Sequence, residues 1–362
     1  MRDLVRRFGP LLGLIVVWCA FAAAAGAPFT SLANQRMMLL QTAVVGTAAV
    51  GATFVIVAGG IDLAVGSAIA ATGVLAALAL DAEYGPTLSA LVALCLGALL
   101  GTLAAALVNG LLLSALGIVL GAGCTWYGVN SGVLWIALAG PLLALAIAAL
   151  DRRLALRVPL SPFIATLALW GAVRGLAKGM HDNQPAYAER FGWIDGLMQP
   201  APSGFGHWFP PGVLVWLGCA ALGAFALRRT VLGRHVVAVG SNEETARLCG
   251  VDLARTRWAV YALAGVCAAL AGLLQLSYVH MGDPTTAGGY ELRVIAAVVI
   301  GGASLAGGQG SVGGAVIGAL LMTVVDNGCT KLGLDNWVQE LATGAIIAIA
   351  VALDRWRGRD AR

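Results

Sequence analysis

Long apolar runs near 9–27, 39–58, 63–80, 88–108, 160–177, 211–227, 258–278 and 337–353 alternate with short polar breaks along the chain. Each run is long enough to cross a bilayer as a helix, which takes roughly 17–25 apolar residues. Two shorter, glycine-broken runs, 294–306 and 312–325, read as a kinked or discontinuous pair of crossings. The stretch 110–150 holds one clear run, 132–150, and one marginal run, 111–127. The pattern predicts an all-α, polytopic transmembrane helical bundle of about ten to twelve spans with some broken helices, forming one membrane domain over 1–362.

Arginine placement narrows the count. Clusters stand at Arg2, Arg6 and Arg7, at Arg152, Arg153 and Arg157, between Arg228 and Arg257, and at Arg355, Arg357, Arg359 and Arg362, together 16 of the 20 arginines. If all four clusters face the cytoplasm, as the positive-inside rule asks, an even number of crossings separates each from the next. The 110–150 region then supplies two crossings, as a hairpin turned at Tyr127–Gly132, or none, as a re-entrant segment. The hairpin gives about twelve spans with both termini cytoplasmic, and the re-entrant reading about ten. The arginines ahead of the first run, and its end in AAAAGAP, resemble a signal peptide; an uncleaved first span is the expectation.

Composition agrees with a membrane protein. Hydrophobic residues make up 59% and charged residues 11%, with a mean hydropathy of +0.87, against a charged fraction near a quarter in ordinary soluble domains. The 49 glycines suit helices that must approach closely where lipid supplies no hydrophobic drive. The net charge of +4 follows from topology and does not point to nucleic acid. Seven cysteines without a CxxC pair, mostly inside apolar runs, and four scattered histidines give no expectation of a metal or cofactor.

A few polar residues interrupt apolar runs, where they are costly and mark candidate pathway positions. Asp62, Ser67, Thr166, Glu291 and Asn327 are the candidates for a path or gate. Asp62 lies in Gly59-Gly60-Ile61-Asp62-Leu63-Ala64-Val65-Gly66-Ser67, where it either caps the 63–80 helix or carries a gating charge, answering a basic group such as Arg174. The same GGxxLAxG spacing returns at Gly301–Gly308, and Asn109-Gly110 finds an echo in Asn327-Gly328. Echoes in one order suggest duplicated halves of undetermined orientation. Residues 178–210, with Tyr187, Phe191, Trp193 and Trp208, and 279–293, with His280, Asp283, Glu291 and Arg293, are the expected extracytoplasmic segments.

The most polar stretch, 228–257, carries six arginines between two spans. Ser241-Asn242-Glu243-Glu244 has a capping-box pattern, a two-turn helix follows, and Gly250 stops it. Glu243 and Arg247 are spaced to pair on that helix. A capped helix in a cytoplasmic loop suits the docking of a separate soluble partner. The only lysines, Lys178 and Lys331, stand outside any GK[ST] motif, so a phosphate-binding loop is not expected in this chain, and the chain is not expected to be an enzyme.

VIVAGGIDLAVGS (55–67), NGLLLSALGI (109–118), SPFIATLALWGAVRGLAKG (161–179), LGRHVVAVGSNEETARLCGV (232–251), AGVCAALAGLL (264–274) and GGYELRVIAAVVIGGASLAGGQGSVGGAVIGALL (288–321) resemble the permeases of ribose/xylose/arabinose-type bacterial sugar ABC importers. The resemblance implies a permease in the bacterial inner membrane that pairs with a second copy or a homologue. It further implies a cytoplasmic ATPase and a periplasmic sugar-binding protein as partners. It places ATPase coupling at 232–251, with Gly233, Arg234, Asn242, Glu243, Glu244, Ala246 and Gly250 as candidate residues. Against the family's pattern, 119–159 reads as an insertion. A permease for a nucleoside or a branched-chain amino acid, and an ion-coupled secondary transporter, are the alternatives.

Overall fold

A computed structural model describes residues 2–130, 158–201 and 204–359, with isolated positions between 139 and 151. The helices are α1 (Arg2–Ala25), α2 (Ala27–Thr30), α3 (Leu32–Val57), α4 (Val65–Asp81), α5 (Pro86–Val108), α6 (Leu112–Asn130), α7 (Pro162–Gly179), α8 (Phe205–Trp208), α9 (Pro211–Arg229), α10 (Val231–Ser241), α11 (Glu243–Leu248), α12 (Leu253–Val279), α13 (Tyr290–Ile300), α14 (Val312–Lys331) and α15 (Asn336–Arg359). Five of them, α3, α5, α9, α12 and α14, are long and apolar enough to cross a membrane by length and composition. The described residues form an all-α bundle, with a single antiparallel bridge between Ala186 and Gly282 as the extended pairing.

Helix α12 occupies the centre, with α5, α3 and α4 packed around it. Its residues facing these neighbours are small: Ala264, Gly265, Ala268, Ala269 and Gly272 are all buried. Gly265 meets α5 backbone to backbone, and a Cβ there would stand 2.9 Å from the amide nitrogen of Gly101. Such approaches substitute close van der Waals contact and weak Cα–H bonds for the hydrophobic drive that lipid removes. Helix α3 is enclosed along most of its length, whereas α9 turns Leu214, Leu217, Leu222 and Phe225 outward, as a lipid-facing helix does.

Helix α3 and α12 run antiparallel. Gln41, early in α3, donates to Tyr278, late in α12, at 3.3 Å. At the opposite end, the α12 hydroxyl of Tyr261 comes against Gly60 just beyond α3.

Several expectations shift. The helix expected over 63–80 begins at Val65 and ends at Asp81. Of the kinked pair, the first member is an eleven-residue helix, α13, followed by irregular chain to Ser311. Of the hairpin turn expected at Tyr127–Gly132, Tyr127–Asn130 belong to α6; residues 131 and 132 lie outside the described residues, as do Arg152, Arg153 and Arg157. The excursion between α5 and α7 returns to its origin: Val158 donates to the carbonyl of Gly110 at 3.1 Å. Asp151, near its end, accepts from the amide and hydroxyl of Ser114 at 2.9 and 2.6 Å.

Candidate functional site

Two segments break their helices inside the bundle. Helix α3 ends in a left-handed glycine, Gly59 at φ 81°, whose amide donates to Ile56 while that of Gly60 donates to Val55. Only glycine takes this conformation without steric cost. Three residues later Asp62 turns the chain by accepting from the amide of Ala64 at 2.9 Å, and α4 starts at Val65. Helix α12 ends likewise in a left-handed residue, His280 at φ 57°. Three residues later Asp283 accepts from the amide and hydroxyl of Thr285 at 2.7 and 2.8 Å, and α13 starts at Tyr290.

Because α3 and α12 are antiparallel, these two units approach from opposite ends, and the starts of α4 and α13 meet between them. Gly66 abuts Glu291 there, and a Cβ at Gly66 would lie 2.7 Å from the carbonyl oxygen of Ala287. Each broken helix packs on the other unit's long helix, α4 on α12 and α13 on α3. Irregular backbone is tolerated inside the bundle here because protein surrounds it.

Helix α7 braces both breaks. Thr166 donates to the carbonyl of Ile61 at 3.1 Å, and Ser67 of α4 donates to the carbonyl of Trp170 at 2.9 Å. One turn further, Arg174 donates through Nη1 to Pro284 and Thr286 at 2.9 and 2.8 Å. Its Nη2 and the Oε2 of Glu291 are buried without a hydrogen-bond partner among the described residues.

The structure thus brings Asp62, Ser67, Thr166 and Glu291 together around the breaks. Asn327 is elsewhere, in a reciprocal amide pair with Asn34 at 2.7 and 3.1 Å that joins α3 to α14. Three expectations about this region are corrected. Asp62 does not cap α4, whose N-cap is Ala64 without a side-chain bond; it caps the turn before it. Arg174 answers the 284–286 backbone and not Asp62. The segment 279–293 is not a surface loop throughout, since from Gly282, bridged to Ala186, it runs along α4 to seat Ala287 against Gly66.

The 301–308 echo is half real. Ser304 accepts from the amide of Ala306 at 3.3 Å, as Asp62 does from Ala64, but the left-handed glycine is Gly302, one place out of register. The other echo fails, because Gly110 ends a helix at φ 77° while Asn327-Gly328 lies within α14.

The polar loop forms two helices, α10 and α11. Asn242 caps α11 by accepting from the amide of Thr245 at 2.8 Å. Ser241 does not, because α10 runs through it and its hydroxyl bonds back to Val237. Glu243 pairs with Arg257 on α12, not with Arg247 on its own helix. Gly250 is left-handed at φ 84°, as a helix stop requires.

Gly233 and Ala246 are buried and seat the loop on the bundle, while Arg234, Asn242, Glu243, Glu244 and Gly250 face outward. Beside them Leu248 is 80% exposed. The tightest junction is one that sequence reasoning missed: Gly240 of α10 presses on Val57 and Gly308, themselves joined by a 2.8 Å hydrogen bond from the Gly308 amide. The Gly-rich composition of all three segments was its only signal.

Comparison with known proteins follows the same lines. The family model described as branched-chain amino acid transport system / permease component matches residues 112–351. The ribose import permease protein of Escherichia coli K12 is 32% identical over 354 residues, covering 95% of this chain and 92% of that one. The ribose import permease protein of Bacillus subtilis 168 is 31% identical, covering 97% and 93%. The L-arabinose transport system permease protein of E. coli K12 is 31% identical, covering 97% and 92%. No solved structure matches. An all-α bundle with broken helices, and alignment to these permeases from end to end, make the chain a member of the branched-chain amino acid transport system / permease component family.

Proposed function

We propose that this chain is the membrane subunit of an ATP-binding cassette importer that carries a monosaccharide of the ribose or arabinose kind across the cytoplasmic membrane. The observation that carries the reading is near-complete coverage, at 31–32% identity, by permeases named for those two pentoses. In this reading both termini are cytoplasmic, α10 and α11 receive a separate ATPase, and 178–210 faces a periplasmic binding protein. A second permease copy or homologue completes the membrane assembly. The sugar moves along the broken segments around Asp62, Ser67, Thr166 and Glu291, with α7 as their common support.

The test is reconstitution of the permease with its ATPase and binding protein in proteoliposomes. Uptake of labelled D-ribose or L-arabinose that requires ATP supports the proposal. Uptake by the permease alone, abolished by collapsing an ion gradient, would instead identify a secondary transporter.

A further inference from the structure

Among the outer ends of α3, α12, α13, α14 and α15 lies a cavity of about 240 Å³. At ~30 Å³ per water molecule it has room for roughly eight waters, a space suited to one small polyol. Its walls are unusual for a helical bundle. Tyr278 and Tyr290 supply aromatic surface, Asp326 a carboxylate, Arg293 and Lys331 cations, and Gln41 and Gln275 amides.

These groups are arranged toward the cavity and only partly satisfied by one another. Arg293 meets Asp326 through Nη1 and Oδ2 at 3.0 Å, and lies over the ring of Tyr290 at 5.4 Å. The other oxygen, Oδ1 of Asp326, is buried and has no partner among the described residues. Gln275 donates to Thr286 at 3.0 Å. A buried acceptor left unpaired costs about 1–3 kcal/mol, so a structural ion pair alone does not explain the set. The contrast is the neighbouring Asn34–Asn327 pair, where each amide both gives and receives a bond.

A sugar hydroxyl is donor and acceptor at once. A site for several of them combines acceptor-only carboxylate, donor-only guanidinium and two-way amides, with charge-assisted bonds as the stronger anchors. Aromatic faces take the C–H surface of the ring. The cavity holds this combination, and Tyr290 in its wall immediately precedes Glu291 at the break between α4 and α13.

We propose that this cavity, walled by Tyr278, Tyr290, Arg293 and Asp326, is a low-affinity resting site for one neutral monosaccharide between the outer face and the break. The proposal rests on the reading of the chain as a sugar permease.

The experiment uses the complete transporter in proteoliposomes with labelled D-ribose and L-arabinose, normalised to the amount of permease inserted. Asp326→Asn removes the charge. Gln41→Leu, an apolar exchange on α3 away from the ion pair, guards against a result caused by misfolding at Asp326. Each variant is expected to lower uptake about tenfold, as loss of one good hydrogen bond does, with ATP hydrolysis stimulated by loaded binding protein kept within about twofold.

The equilibrium counterpart is broadening of D-ribose NMR signals by wild-type permease in nanodiscs, absent with Gln41→Leu. Wild-type uptake in both variants, or equal broadening by wild type and Gln41→Leu, overturns the site and leaves the permease reading standing. A wild-type transporter that carries neither sugar with ATP overturns the permease reading, and this proposal falls with it.

Discussion

Replacing Gly240 with alanine tests whether α10, α11 and the bundle form one mechanical unit. An added Cβ would overlap the carbonyl oxygen of Val57 and stand 2.6 Å from the amide nitrogen of Gly308. Both are backbone atoms, and they are the two partners of one 2.8 Å hydrogen bond. No side chain can swing aside to make room. Relief comes from parting Val57 and Gly308, at about 1–3 kcal/mol for a buried unpaired group, or from tilting α10 outward, at a similar ~1–3 kcal/mol of overpacking.

Gly240→Ala is therefore expected to lower the thermal midpoint of the detergent-solubilised permease and to cut ATP-driven uptake more than ATP hydrolysis. The control is Gly313→Ala on α14, where a Cβ meets nothing within 4 Å. A Gly240→Ala protein as stable as Gly313→Ala, with wild-type uptake, refutes the reasoning.

Leu248→Asp should prevent co-purification of the ATPase without lowering the permease's thermal midpoint, since the side chain is 80% exposed and its burial is proposed only in the complex. Asp62→Asn should keep near-normal uptake, because the amide oxygen still accepts from Ala64. Asp62→Ala should impair it, leaving that donor unpaired at about 1–3 kcal/mol; equal loss in both would assign the role to the charge. A membrane-impermeant thiol reagent applied outside should modify a cysteine placed at exposed Tyr187 and spare exposed Cys249. The reverse pattern would invert the proposed orientation.

The helices were legible because lipid imposes a length on apolar runs, and the polar loop at 228–257 was legible because its charges contrast with them. Details set by one residue were less so. Ser241 and Asn242 are both good caps, and which one serves depends on where α10 stops, decided by the burial of Val236 and Val239 against the bundle. The echo in letters lies at 301–308, whereas the turn most like that at 59–65 in geometry lies at 280–290. Histidine at 280 fills the left-handed place that glycine fills at 59, and the two turns share only an aspartate. Nothing in the local sequence of Asp283 and Glu291 distinguishes a surface loop from a segment packed along α4; the packing rests on Gly66 leaving space for Ala287.

In the proposed orientation 178–210 is the outer loop, and a backbone bridge fastens it to the rest of the chain. Ala186 and Gly282 exchange both amide-to-carbonyl bonds, at 2.9 and 2.8 Å, tying 178–210 to the chain that descends toward α13. The strap's hydrogen bonds are main chain to main chain, and its two residues are small because the bridge lies against α4. A displacement of the outer loop is passed inward as a pull along the peptide backbone. Exposed residues of the loop such as Tyr187 are thereby free to diverge, while the two bridge positions are not: Ala186 is buried, a Cβ at Gly282 would stand 2.9 Å from the Cα of Val74, and proline at either would remove a donor.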